Sequence, residues 1–83
     1  MNFTYRPQST CSTEITFDIE DGKVFHVRYV NGCDGNLQGI SRLVEGMEID
    51  EVITRLKGIR CGWKPTSCPD QLARALEKAK EQL

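Results

Sequence analysis

The chain has 83 residues, of which 39% are hydrophobic, and its eleven basic and twelve acidic residues give a net charge of −1. That length makes one domain, residues 1–83, and a core of such a size rarely supplies more than roughly 3 to 5 kcal/mol, which leaves room for a metal, a partner or oligomerisation to contribute. The near-neutral charge gives no general case for a nucleic-acid partner, no apolar run approaches the roughly 20 residues that cross a bilayer, and the first ten residues are polar rather than signal-like. The expectation is therefore a soluble, cytoplasmic protein with no membrane partner.

The first half of the chain alternates. Phe3 and Tyr5 are in phase in a short strand over about residues 2 to 6, ended by Pro7. Ile15, Phe17 and Ile19 form one face of a second strand, with Glu14, Thr16, Asp18 and Glu20 on the other. Phe25, Val27 and Tyr29 form the apolar face of a third, with His26 and Arg28 opposite, which makes His26 a surface residue rather than a ligand. Asp21-Gly22 suggests a two-residue type I′ turn, but that register puts Phe25 and Val27 on the face opposite Phe17 and Ile19. A three-residue loop, Glu20-Asp21-Gly22, pairs Ile19 with Lys23, Phe17 with Phe25 and Ile15 with Val27, and is preferred because it keeps one apolar face. In that register residue 11 faces residue 31.

After Asn31-Gly32 the period becomes helical. Leu37, Ile40, Leu43 and Val44 mark a first helix, capped by Asp34 or Asn36 and closed by Gly46; Ile49, Val52, Ile53 and Leu56 mark a second, closed by Gly58. A third runs from Pro69 to about Gln82 and buries Leu72, Ala73, Leu76, Ala79 and Leu83, with Cys68 as N-cap, Pro69 at N1 and Asp70 at N2. Strands followed by helices without alternation indicate an α+β fold, a three-stranded antiparallel meander covered on one face by three helices. No phosphate-binding loop, catalytic-triad spacing or carboxylate pair is present, so no catalytic residue is assigned.

The four cysteines, Cys11, Cys33, Cys61 and Cys68, all fall at loop or element ends. In a reducing compartment this points away from a disulfide framework. One reading is a site of three or four thiolates for zinc or an iron-sulfur cluster, metals that suit soft ligands, with Cys68 favoured as thiolate by the positive end of the third helix. Another is that the cysteines are small buried hydrophobes, and a third is thiol-disulfide chemistry. The six residues between Cys61 and Cys68 exceed the two to four of common zinc knuckles. Asp34 is either a cap or an acid beside Cys33. The glycines at 32, 35, 39 and 46 serve turns and close helix packing. Arg55, Lys57, Arg60 and Lys64 around Trp63 could neutralise and stack a nucleotide, but a solvated helix end and a loop tryptophan packed on the domain explain them more simply.

Gly32-Cys33-Asp34-Gly35-Asn36-Leu37, Leu43-Val44-Glu45-Gly46, Cys61-Gly62 and Thr66-Ser67-Cys68-Pro69-Asp70-Gln71-Leu72-Ala73 together resemble the TSCPD domain family, as a stand-alone member matched end to end. The resemblance implies metal binding through cysteines and a partnership with ribonucleotide reductase, and so a link to DNA precursor synthesis. Small proteins of this kind carry the label ribonucleoside-diphosphate reductase by association, but 83 residues are too few to enclose a radical site, nucleotide and cofactor. A remoter resemblance in element order is to iron-sulfur scaffolds of the IscU and NifU kind. It implies the same layering and maps three cluster-holding cysteines to Cys11, Cys33 and Cys68; Cys61 has no counterpart there and could replace the missing histidine as a fourth ligand. Thr13 stands where the scaffold has aspartate, Ser67 where it has histidine, and its chaperone-binding loop has no counterpart. A cluster scaffold or carrier and a thiol relay through Cys61 and Cys68 are the alternative functions these resemblances imply.

Overall fold

The structure, a computed structural model, describes residues 1–7, 13–31, 34–60 and 62–83. Strands β1 (Asn2–Tyr5), β2 (Glu14–Glu20) and β3 (Lys23–Val30) form an antiparallel meander in the order β1-β2-β3. Helices α1 (Asp34–Val44), α2 (Ile49–Leu56) and α3 (Cys68–Lys80) follow. The fold class is the expected α+β arrangement. Ile15, Phe17 and Ile19 are buried against Leu72, Ala75, Leu76 and Ala79 of α3 and Val52 of α2, while Thr16, Asp18 and Arg28 keep the other face polar. Phe3 lies directly opposite Phe17 in the ladder, and the two rings stack with centroids 5.7 Å apart.

The hairpin register differs from the expected one. Asp21 and Gly22 both have positive φ, 53° and 74°, and Glu20 pairs with Lys23, so the connection is the two-residue type I′ turn. The phase conflict that argued against it is resolved by a bulge further along. Phe25 still faces Asp18, but Arg28 already faces Thr16, so Phe17 alone spans His26 and Val27. His26 takes the strain, with φ at +56°. Val24 before the bulge and Val27 after it are therefore both buried, and Phe25 is moved off the main apolar face to a half-buried position beside Gly46. Beyond the bulge Ile15 pairs with Tyr29 and Glu14 with Val30, two residues away from the expected register.

An unexpected strand-like segment follows α1. Gly46, whose φ of 78° ends the helix as expected, donates to the Val24 carbonyl at 2.7 Å; Val24 donates to the Met47 carbonyl at 2.9 Å, and Ile49 to the Gly22 carbonyl at 3.0 Å. The Glu45 carboxylate accepts from the His26 amide at 2.9 Å. These bonds occupy the outer edge of β3 along its first half, where an open edge would invite pairing with another chain.

Each helix buries one stripe. In α1, Leu37 and Val44 are buried and Ile40 half-buried, but Leu43 is 78% exposed, because it falls outside the stripe. In α2, Ile49 and Val52 are buried and Gly58 follows with φ 88°. In α3, Leu72, Ala73, Leu76 and Ala79 are buried as expected, and Ala75 joins them. The helix ends at Lys80, so Leu83 is 63% exposed rather than buried.

Candidate functional site

The pentapeptide Thr66-Ser67-Cys68-Pro69-Asp70 forms a buried polar knot at the start of α3. Ser67, not Cys68, is the N-cap: its hydroxyl accepts from the Asp70 amide at 3.2 Å. Cys68 is thus the first helical residue, with proline tolerated in the first turn because its missing N–H is not needed there. Ser67 in turn donates its hydroxyl hydrogen to the Ile59 carbonyl at 2.6 Å.

Asp70 is 0% exposed. Its carboxylate accepts from the Gly58 amide at 2.7 Å, from Arg74 Nε at 2.8 Å and from the Thr66 hydroxyl. Gln71 donates to Thr66 Oγ1 at 2.8 Å, and its Oε1 accepts from Tyr5 at 3.3 Å. Desolvation pushes the Asp70 carboxyl up, but the hydrogen bonds from Thr66, Gly58 and Arg74 and the charge of Arg74 outweigh it. The net effect holds the group below its ordinary value. The pentapeptide therefore ties the segment after α2 to the start of α3, and three of its five side chains do so while buried.

Cys68 is half-buried at this junction, and its carbonyl accepts from the Tyr29 hydroxyl at 3.2 Å. Burial pushes the Tyr29 phenol well up, and the negative charge of a Cys68 thiolate acts the same way. The contact sets the end of β3 against α3. The start of β2 is at the same end: Thr13 donates its amide to the Val30 carbonyl at 2.9 Å, and Asn31 Nδ2 donates to Thr13 Oγ1 at 3.1 Å. Cys11, Cys33 and Cys61 lie outside the described residues, as do Gly32 and the side chain of Asp34. Among the described residues no group of three or more His, Cys, Asp or Glu could hold a metal ion. His26 is exposed, as expected, and its Nδ1 lies 2.9 Å from Asp18 Oδ2.

Two expectations about minor candidates need correction. Trp63 does not pack on the domain; it is 92% exposed. Gly35 and Gly39 do not serve close helix packing, since both are exposed and a Cβ built on either meets nothing within 4 Å. The residues that sequence reasoning missed are Thr66, Ser67, Gln71 and the two tyrosines. Ser67 with an acid three residues on is a capping pattern, and that was the available signal.

A small α+β domain with one end of its sheet set against a capped, cysteine-bearing helix is the class that fold and site define. The TSCPD domain model matches residues 2–80, nearly the whole chain, and the chain belongs to the TSCPD domain family. The domain is known from ribonucleotide reductases, which links the chain to that family. No curated protein and no solved structure matches it.

Proposed function

We propose that this domain is a non-catalytic accessory module that holds a metal through Cys11, Cys33, Cys61 and Cys68 and acts with ribonucleotide reductase. The observation that supports the reading is that Tyr29 joins the end of β3 to Cys68 at the start of α3, while Thr13, Val30 and Asn31 tie the neighbouring ends of β2 and β3 to each other. The ladder there ends with Glu14 opposite Val30, three residues in sequence from Cys11 on one strand and from Cys33 on the other. Ser67 also holds the Ile59 carbonyl, two residues before Cys61 in sequence.

Four thiolates suit zinc or an iron-sulfur cluster, and zinc is the proposed occupant. A zinc ion in such a site cross-links chain segments and adds folding free energy without redox chemistry. Of the four proposed ligands, Cys68 opens α3 beside the Asp70 knot, which gives that thiolate a rigid mount.

Metal content of anaerobically purified protein tests the proposal. One zinc per chain is expected, with large loss in each of C11S, C33S, C61S and C68S and a lower unfolding temperature after chelation. Visible charge-transfer absorption and transfer to an apo acceptor would replace zinc with the cluster-carrier reading. Protein without stoichiometric metal would overturn the proposal, and failure to restore a reductase truncated of its own such domain would remove the partnership.

A further inference from the structure

The stretch from Arg55 to Pro65 carries four basic residues and no acidic one, leaving seven basic residues against twelve acidic ones in the rest of the chain. Two of the four are neutralised: Arg55 pairs with Glu51 and Lys57 with Glu77, each at 2.7 Å. Arg60 and Lys64 have no ion pair among the described residues. Between them in sequence stands Trp63, the chain's single tryptophan, with 92% of its surface in solvent. A tryptophan indole is among the side chains with most to gain from being covered, so leaving it bare beside two unneutralised cations calls for an explanation.

The loop that presents Trp63 has fixed feet. On one side the Gly58 amide is held by the Asp70 carboxylate and the Ile59 carbonyl by the Ser67 hydroxyl; on the other, Thr66 is buried against Asp70 and Gln71. Gly62, with φ +60°, supplies a turn immediately before the tryptophan. Anchoring at both ends limits the entropy lost when a ligand covers the ring.

The described loop residues around Trp63 select among ligands. A protein-binding anchor is normally ringed by apolar surface with few charges; here exposed Ile59 and Pro65 share the stretch with Arg60 and Lys64, and the two cations without an ion pair among the described residues favour an anionic ligand. A flat aromatic face with flanking cations matches a ligand that is itself a flat ring joined to phosphate. We infer that Trp63, Arg60 and Lys64 form a binding site for a nucleobase and its phosphates, the base stacked on the indole and the phosphates neutralised by the two cations. Binding is assigned to Trp63, Arg60 and Lys64 and to no cysteine, although Cys61, a proposed zinc ligand, falls between Arg60 and Gly62 in sequence.

Because Trp63 is the single tryptophan, its emission reads the site directly. The full chain is titrated with an oligothymidylate of about ten nucleotides and, separately, with deoxyadenosine triphosphate. Saturable quenching by either supports the site, and the arm that binds tighter identifies strand or free nucleotide as the source. End-labelled oligonucleotide anisotropy, or competition against it, then follows variants. W63A is expected to weaken binding roughly 5- to 150-fold, with W63F retaining most of it. The R60Q/K64Q double variant should lose a log–log salt slope of about −1.4, the value for two phosphate contacts on a single strand. All three positions are exposed or half-exposed, and circular dichroism checks that the variants stay folded. Unchanged emission with both ligands overturns the inference. So does equal quenching by polyglutamate, which would make the site an acidic-peptide site, and so does inorganic tripolyphosphate competing as well as the nucleotide, which would leave charge alone at work.

Discussion

Asp70 shows why one residue can matter beyond its own contacts. Replacing it with alanine leaves the part-buried Gly58 amide and the buried Thr66 hydroxyl without their carboxylate acceptor, and an unsatisfied buried group costs about 1–3 kcal/mol. D70A should therefore lower stability by roughly 2–4 kcal/mol in urea unfolding, a large share of the margin of so small a domain. The pH dependence follows from the same geometry. Because the folded-state carboxyl is held below its ordinary value, its contribution is fully present above that value, near pH 4, and is lost as pH falls through the folded-state one. Acid titration of the urea midpoint should show a steeper fall below about pH 4 for the native chain than for D70N. An undiminished slope in D70N would assign the acid sensitivity elsewhere. Asp18 remains in the variant and acts in the same direction: hydrogen bonds from Asn2 and then His26 hold it low, so some slope persists.

At the scale of elements, the parts readable from sequence were those set by periodicity. The alternation of Ile15, Phe17 and Ile19 and the spacing of Ile49, Val52 and Leu56 follow from a single buried face, and Gly46 and Gly58 end their helices through positive φ. The hairpin register was not readable in the same way. Asp21-Gly22 favoured one turn and the apolar face of β3 favoured another, and a bulge at His26 satisfies both, although no residue type announces it. The helix start was displaced by one residue because Ser67 and Cys68 compete for the cap, and hydroxyl oxygen accepts a hydrogen bond better than sulfur. Leu43 matches the helical period only loosely and falls outside the buried stripe, whereas Leu83 is in phase but lies beyond the end of α3. Gly39 offers a test of α1: it sits exposed mid-helix with open space where a Cβ would go. G39A should raise stability by about 0.5–1 kcal/mol, read as a higher urea midpoint, and a loss instead would reveal a contact at that surface.

For the whole molecule, stability rests on the layer between one sheet face and the helices. Leu72 and Leu76 are both fully buried there, and truncating either to alanine removes contacts with two layers at once. L72A or L76A should cost about 2–5 kcal/mol, enough to bring the domain near its unfolding threshold at room temperature. Of the candidate site, the position of Cys68 at the start of the third helix was legible. Its supporting knot was not, because Thr66, Ser67 and Gln71 read as ordinary polar residues until tertiary contacts bury them.

The bond from Gly58 to Asp70 has one more consequence. Gly58 is exposed as a residue and lies in a turn, yet its amide hydrogen is directed into a buried carboxylate at 2.7 Å. Deuterium can replace that hydrogen only when the segment after α2 detaches from α3. Its exchange rate is thus a local gauge of how often the knot opens while the rest of the domain stays folded.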